Sequence, residues 1–164
     1  MFSFLKKKKE EVSNNEMIYA PVKGKAVASK EVSDPTFGEE ILGAGMAIIP
    51  AEGKVYAPVD GKISMCIDSN HAVGIMSDKG TELLIHIGLD TVSLKGQHFT
   101  SHMKEGDEVK KGDLLIEFDM DAIKAAGFDM ITPVIVTNSF DFKEVIRFVD
   151  KDVEAGDAVM ELVK

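Results

Sequence analysis

The sequence predicts an all-β fold, an antiparallel β-sandwich or flattened barrel, on three observations. Two strand-turn-strand segments are duplicated, helix-forming stretches are scarce and very short, and 14 glycines combine with an aromatic content of only 7%, which is typical of many tight turns. A chain of 164 residues with 45% hydrophobic content can bury one good core. We therefore expect residues 16–164 to form a single domain and residues 1–15 to form a flexible N-terminal tail.

Two internal repeats favour a fold with pseudo-symmetric halves. The segment IYAPVKGK at 18–25 recurs as VYAPVDGK at 55–62, and VKKGDLLIE at 109–117 recurs as VEAGDAVME at 153–161. Each copy predicts a strand, a turn and a second strand. In the Pro-Val-x-Gly-Lys part, proline fixes φ and glycine supplies positive φ, so we expect these residues to serve the turn alone.

Helix is expected at only three short places. One helical turn is predicted within the irregular loop 33–40, and Asp119 can cap a short helix over 120–126 that ends at Gly127. The segment DFKEVIR at 141–147 predicts another short helix. None of these stretches is long enough to change the all-β prediction.

The N-terminus, MFSFLKKKK, is not typical of a signal peptide, because its basic run follows a very short apolar stretch instead of preceding a long one. We interpret it either as a solvated tail or as a weak membrane contact, with Phe2, Phe4 and Leu5 inserted and Lys6–Lys9 on anionic lipid. No stretch of the sequence reaches the roughly 18 apolar residues of a transmembrane helix.

The composition narrows the classes of function. A net charge of −9 argues against a nucleic-acid ligand and favours basic protein partners. The single cysteine, Cys66, excludes a disulfide framework and indicates a reducing cytoplasm. Its apolar surroundings, ISMCI, predict a buried core thiol.

Two histidines are the candidate catalytic residues. His86 interrupts the apolar run LLIHIGL, which predicts a buried strand, and His71 begins HAVGIM, with the turn-rich SDKG between the two segments. The whole stretch predicts a β-hairpin. With a loop of two or four residues, the histidines face each other with Cβ atoms roughly 4.5 to 5.5 Å apart, and both rings could address one small anion or metal. A three-residue loop would place the rings on opposite faces, and a structural core histidine is the alternative role for either ring.

The residues around both histidines resemble a known family. The run HIGLDTV, which begins at His86, and the run SNHAVGI around His71 are similar to the two active-site segments of the glucose-type enzyme IIA proteins (IIA-Glc) of the bacterial phosphoenolpyruvate-dependent sugar phosphotransferase system. The resemblance extends from APVKGK near the N-terminus to the final GDAVMELVK. It implies a cytoplasmic phosphotransferase component that needs no cofactor and does not bind sugar directly.

This resemblance also implies the partners and the roles at the site. HPr carrying a phosphohistidine would phosphorylate His86, which would pass the phosphoryl group to a cysteine of a sugar-specific enzyme IIB (IICB) domain. A neutral imidazole is a competent nucleophile near neutral pH. His71 would hydrogen-bond a phosphoryl oxygen, and Ser69, expected on the same face of the strand, would orient the His71 ring through its hydroxyl.

A docking surface is expected around the histidines. Phe37, Ile41 and Val92 match positions that the family uses to meet HPr, although a plain core role is the alternative for Phe37. Gly88 is expected to leave room beside His86 for an incoming partner. Asp90 either caps a turn or steers a cationic residue of the partner.

Two other functions are compatible with parts of the sequence. The run EGDEVKKGD at 105–113 suggests a biotinyl or lipoyl carrier module, but the lysine that such modules modify is missing from the following IEFDM. A zinc hydrolase generally needs three protein ligands. His71 and His86 offer two, which could take up zinc opportunistically without requiring it.

A second pair of histidines has the spacing of metal ligands on a helix. His98 and His102 are four positions apart. Gly96 and Thr100 weaken any helix there, and no third ligand is near in sequence. We interpret these two histidines as exposed and non-functional.

Overall fold

The computed structural model describes residues 15–164, and this part of the chain contains 14 short strands and two short α-helices. All strand pairs are antiparallel, so the predicted all-β sandwich is confirmed. The predicted tail and its membrane contact involve residues outside the described part, apart from Asn15. That residue donates a hydrogen bond from Nδ2 to Glu161 Oε2 at 3.1 Å.

The strands and helices are all short. The strands are β1 (Glu16–Tyr19), β2 (Gly24–Ala28), β3 (Ala44–Pro50), β4 (Lys54–Tyr56), β5 (Gly61–Cys66), β6 (Ala72–Ser77), β7 (Glu82–His86), β8 (Phe99–Ser101), β9 (Glu108–Val109), β10 (Leu114–Phe118), β11 (Thr132–Val136), β12 (Glu144–Arg147), β13 (Lys151–Val153) and β14 (Ala158–Val163). The helices are α1 (Pro35–Gly38) and α2 (Met120–Ala125), and 3-10 turns cover Ser29–Glu31, Thr91–Leu94 and Ser139–Asp141.

These strands form three sheets. One has eight strands in the order β13-β2-β3-β11-β7-β6-β5-β9, and two have three strands in the orders β1-β14-β12 and β4-β10-β8. The main hydrophobic core draws on strands of all three sheets. A smaller second core lies around Phe37, and its members are Val27, Val32, Phe37, Ala47, Leu89, Ile131 and Ile135.

Both sequence repeats occupy equivalent places in two halves of the fold. The strands β1, β2, β13 and β14 form one half, with β1 paired to β14 and β2 to β13. In the other half, β4 pairs with β10 and β5 with β9. The halves exchange hydrogen bonds, because Tyr19 N donates to Pro58 O at 3.2 Å and Tyr56 N donates to Pro21 O at 2.8 Å. The carbonyls of these turns therefore also join the halves. The predicted positive φ of the turn glycines is wrong, because Gly24 and Gly61 are the first residues of strands β2 and β5 and do not have a positive φ.

The hairpin of β6 and β7 has a register one residue away from the prediction. Its loop has three residues, with Gly80 at a φ of 92°, and Ser77 N donates to Thr81 O at 2.8 Å. Ala72, not His71, is therefore directly opposite His86. The expected loop of two or four residues was wrong, because Gly80 takes the left-handed conformation that closes a three-residue loop.

Polar side chains fasten the turn end of this hairpin to β1. The Glu16 carboxylate, 5% exposed, accepts hydrogen bonds from the hydroxyls of Ser77 and Thr81. Thr81 N also donates to Ser77 Oγ at 2.9 Å. A buried carboxylate requires such partners, and these contacts connect the first strand directly to the loop that sets the hairpin register.

Two of the three helix predictions are confirmed. Helix α1 lies within the loop 33–40, and helix α2 begins after Asp119, whose carboxylate accepts a hydrogen bond from Ala122 N at 3.0 Å. The predicted helix at 141–147 is wrong, because β12 occupies 144–147 and pairs with β14. Pairing at the edge of a sheet that faces the core outweighs a weak local helix preference there.

The burial of Cys66 differs from the prediction. Cys66 is partly rather than fully buried, and its Sγ donates to Met103 Sδ at 3.1 Å. Burial, followed by the charges of Glu105 and Asp107, raises the pKa of the Cys66 thiol.

No helix within residues 15–164 is long and apolar enough to cross a membrane.

Candidate active site

His71 and His86 lie against each other at the end of the β6–β7 hairpin. Their ring centroids are 4.9 Å apart, and the ring planes meet at 80°. The rings meet despite the shifted register because His71 precedes β6, after Asn70 at a φ of 55°, so strand alternation does not fix its direction. Ile87 N donates to His71 O at 2.7 Å and holds the backbone there.

The tautomer of His86 follows from its hydrogen bond to Gly88. His86 Nδ1 lies 2.7 Å from Gly88 O. A carbonyl oxygen can only accept, so Nδ1 carries the proton. In the neutral ring the lone pair is then on Nε2, which makes Nε2 the nucleophilic nitrogen.

Gly88 has a reason to be glycine that differs from the expected one. Its φ is 74°, and a Cβ on it would lie 2.8 Å from Thr91 Cγ2 and 2.9 Å from Asp129 O. A side chain at this position would therefore overlap atoms of the protein itself, and room for a partner beside His86 stays a prediction. The Gly88 carbonyl, held in this conformation, orients the His86 ring.

His71 is buried and held by Ser69. It is 4% exposed, and its Nδ1 lies 2.6 Å from Ser69 Oγ. Ser69 belongs to a turn before β6 rather than to a strand, so the expected strand alternation does not explain the contact. The turn nevertheless brings the hydroxyl to the ring.

Both imidazoles are held neutral near pH 7. Burial, followed by the charge on a protonated His86, lowers the pKa of His71 from 6.5 to about 4. Burial also lowers the pKa of His86, an effect that the Gly88 carbonyl, Asp34 and Asp90 oppose in part. Desolvation therefore outweighs the nearby carboxylates, and His86 is a neutral base at neutral pH.

Phe37 contacts His86 and also belongs to the core. The centroids of its ring and the His86 ring are 4.9 Å apart, and the Phe37 side chain is 8% exposed within the second core. Ile41 and Val92 are 67% and 56% exposed, so they offer apolar surface to solvent. Neighbouring Leu42, which the sequence analysis did not single out, is 42% exposed.

The two carboxylates that influence His86 differ in their local roles. Asp90 is exposed and precedes the 3-10 turn Thr91–Leu94, but its side chain makes no capping hydrogen bond. The turn-capping alternative for Asp90 is therefore excluded. Asp34, which the sequence analysis missed, caps α1 by accepting from Thr36 N at 3.0 Å. The Asp-Pro pair that begins this helix was the available signal.

The site offers two nitrogen ligands to a metal and no more. Within residues 15–164, no group of three or more His, Cys, Asp or Glu side chains could hold a metal ion. His98 belongs to a turn at a φ of 76°, and His102 follows β8 and pairs with Glu117 Oε2 at 2.8 Å. Neither of these histidines lies on a helix.

Comparison with known proteins relates the chain to one family. A family model described as phosphoenolpyruvate-dependent sugar phosphotransferase system, EIIA 1, matches residues 16–142. A glucose-specific EIIA component from Halalkalibacterium halodurans is 42% identical over 100% of this chain and 96% of its own length. The glucose permease IIA structure from Mycoplasma capricolum superposes with a TM-score of 0.80 and 35% identity, covering 90% of this chain and 95% of that one.

Other relatives are much longer proteins. The beta-glucoside-specific EIIBCA component of Bacillus subtilis is 54% identical over 77% of this chain, which spans only 21% of the length of that relative. A Dickeya chrysanthemi protein of the same name is 43% identical over 91% of this chain and 24% of its own length. The similarity to these longer proteins therefore concerns one segment of each.

Proposed function

The chain belongs to the EIIA 1 family of the phosphoenolpyruvate-dependent sugar phosphotransferase system, and from this premise we propose that it relays a phosphoryl group through His86. It is a glucose-type EIIA component, which takes part in phosphotransfer, and the comparisons do not favour the biotinyl-carrier or zinc-hydrolase alternatives. The observation that supports His86 most directly is its hydrogen bond to Gly88 O, since this bond leaves Nε2 free as a nucleophile.

In the proposed reaction, HPr carries the phosphoryl group on a histidine. His86 Nε2 attacks the phosphorus, the P–N bond to HPr breaks, and a P–N bond to His86 forms. The ring then has a phosphoryl group on Nε2 and a proton on Nδ1, so it gains positive charge, and Gly88 O accepts a hydrogen bond from this charged N–H. A cysteine thiolate of an enzyme IIB domain next attacks the phosphorus, and His86 leaves as the neutral imidazole.

His71 would stabilise the phosphoryl oxygens in both transfers. If Ser69 Oγ donates to His71 Nδ1, the neutral His71 ring carries its proton on Nε2. That N–H is then available to a phosphoryl oxygen beside His86, because the two rings are in contact. Donors placed before the reaction lower the barrier most, because they need not reorganise during it.

Partner docking would use apolar and acidic groups together. Ile41 and Val92 provide the exposed apolar area, while Phe37 supports the His86 ring from the core side. Asp34 and Asp90 place negative potential at the histidine, which would attract a cationic residue of HPr. We propose that residues 16–164 perform this role as one cytoplasmic domain that binds proteins and not sugar.

The experiment that tests this function is incubation of the purified chain with phosphoenolpyruvate, enzyme I and HPr. Intact mass should show the gain of one phosphoryl group that is labile in acid and stable in base, as expected for phosphohistidine. The His86→Ala variant should show no gain. No gain in the wild type would refute the proposed relay, and a gain in the variant would assign the phosphoryl group to another residue.

A further inference from the structure

The two halves of the fold differ at one position beside their repeated tyrosines. In the repeats, Tyr19 corresponds to Tyr56, and Lys111 corresponds to Ala155. Lys111 Nζ lies 3.4 Å from the centre of the Tyr19 ring, a cation–π contact. At the equivalent place beside Tyr56, position 155 is alanine, so the repeat supplies no counterpart of Lys111 there.

A cavity lies beside Ala155 and the Tyr56 side chain. It has a volume of about 310 Å³, and its lining includes Tyr56, Ala155, the acidic Glu52 and Glu154, and the basic Lys23. This volume is at the lower end of the range of small-ligand sites. The aromatic ring and two carboxylates give the cavity the chemistry of a cation site rather than of a plain gap in packing.

The charges around the cavity are only partly neutralised by the protein. Lys23 Nζ lies 3.7 Å from Glu154 Oε1, and both side chains are largely exposed. Within residues 15–164, Glu52 has no ion-pair or hydrogen-bond partner for its side chain. One carboxylate therefore remains for an incoming cation that also contacts the Tyr56 ring.

We propose that this cavity binds a primary alkylammonium group, which takes the place that Lys111 holds against Tyr19 in the other half. The same chemistry is offered by a lysine side chain of a partner protein and by a free aliphatic amine. None of the lining residues belongs to the histidine site, so an occupant would leave His86 accessible. A single cation–π contact with one carboxylate is weak, so dissociation constants in the millimolar range are expected.

The two tyrosines make the test selective, because the chain contains only two. Protein labelled with 13C at the tyrosine rings is titrated with n-butylammonium chloride, and 1-butanol serves as the uncharged control. The Tyr56 ring signals should shift to saturation with the amine only, while the Tyr19 signals stay fixed because Lys111 covers that ring. A response of both rings, or an equal response to 1-butanol, would overturn the proposal.

Two variants provide matched controls. Ala155→Lys should fill the cavity with the chain's own ammonium group and weaken amine binding at Tyr56 about tenfold or more. Lys111→Ala should uncover Tyr19 and make its signals respond as well. Unchanged binding in Ala155→Lys would show that the amine binds elsewhere.

The source of the ammonium group is distinguished by two further titrations. Nα-acetyl-lysine methylamide represents a protein side chain, and spermidine represents a free amine. Tighter binding of the blocked lysine would assign the site to a protein partner, and tighter binding of spermidine would assign it to a free amine. Failure of the relay reaction would not affect these titrations, because none of them uses His86.

Discussion

His86 donates a hydrogen bond from Nδ1 to the carbonyl oxygen of Gly88, two residues further along the chain, at 2.7 Å. The position of the proton, and with it the nitrogen that carries the lone pair, is thus set by the backbone rather than by another titratable side chain. A carbonyl cannot lose or gain a proton near neutral pH, so the tautomer of His86 does not change with the protonation of its surroundings.

Gly88→Ala should both destabilise the protein and slow phosphoryl acceptance. The new Cβ would need a φ of 74° and would overlap Thr91 and Asp129 O, so the carbonyl that orients His86 must move. The matched control is Gly127→Ala. Gly127 also has a positive φ, 95°, but a Cβ added there would have no other atom within 4 Å. The free energy of unfolding of this control, measured with urea, should fall by only about 1 to 2 kcal/mol. Equal losses and equal phosphorylation rates in both variants would contradict the role of the Gly88 carbonyl.

Variants of the two histidines should differ in single-turnover assays that follow labelled phosphate from HPr to this protein and onward to an enzyme IIB domain. His86→Ala should accept no label, because the acceptor nitrogen is gone. His71→Gln should still be labelled, but at least one transfer should slow by roughly 10²-fold, since one oriented donor is weakened. His102→Gln, at a histidine paired with Glu117, should transfer at the wild-type rate. Wild-type rates in both directions for His71→Gln would make His71 a structural neighbour only.

Stability should fall as the pH is lowered below the ordinary histidine range. The pKa of His71 is about 4 in the folded protein and near 6.5 when unfolded, so between these values the unfolded state binds more protons. The free energy of unfolding should therefore decrease from pH 6.5 toward pH 4. In His71→Gln this decrease should be smaller, which urea unfolding at pH 7 and pH 5 would measure. The same slope in both proteins would show that His71 is not the linked group.

Docking should depend on the exposed apolar residues rather than on Phe37 alone. Val92→Glu should weaken HPr binding by forcing a charge into the dehydrated centre of the interface, with little change in stability, because Val92 is 56% exposed. Phe37→Glu should weaken binding too, but it should also unfold more easily, since Phe37 is 8% exposed. NMR titration with HPr measures the affinities.

The control for the docking prediction is Phe140→Glu. Phe140 is 95% exposed, and its neighbour Asn138 contacts Glu82, at the end of β7 opposite to His86. The substitution adds the same charge to an exposed apolar position outside the expected interface. Loss of HPr affinity in Phe140→Glu but not in Val92→Glu would move the docking face to the turn end of the hairpin.

The sequence was sufficient for the fold class, because the repeats carry both the strands and their turns. It was insufficient for the hairpin register, because SDKG closes loops of different length and only the left-handed conformation of Gly80 decides among them. The two histidines still meet, since His71 lies before the strand begins. The local pattern predicted a helix at 141–147, where the structure has strand β12. The pattern cannot show that β14, a separate segment of the chain, pairs with these residues.

The functional details that the sequence did not reveal are contacts over long distances. Asp34 influences His86 across more than fifty positions of sequence, and no local pattern predicts that proximity. The tight packing around Gly88 was not evident for a similar reason, because one of the two atoms that a Cβ there would overlap belongs to Asp129, which is distant in sequence. A glycine beside a candidate catalytic histidine is consistent with open space and with tight packing, and only the fold distinguishes them.

The pairing of the first and last strands has a consequence for protein architecture. Glu16 in β1 is directly opposite Leu162 in β14, so the described chain enters and leaves the fold at neighbouring points of one sheet. A unit of this kind can be inserted into a loop of a host protein or placed at either end without threading through its neighbours. Joining the two ends by a short linker and opening the chain at the exposed loop 78–80 should likewise yield a circular permutant that folds.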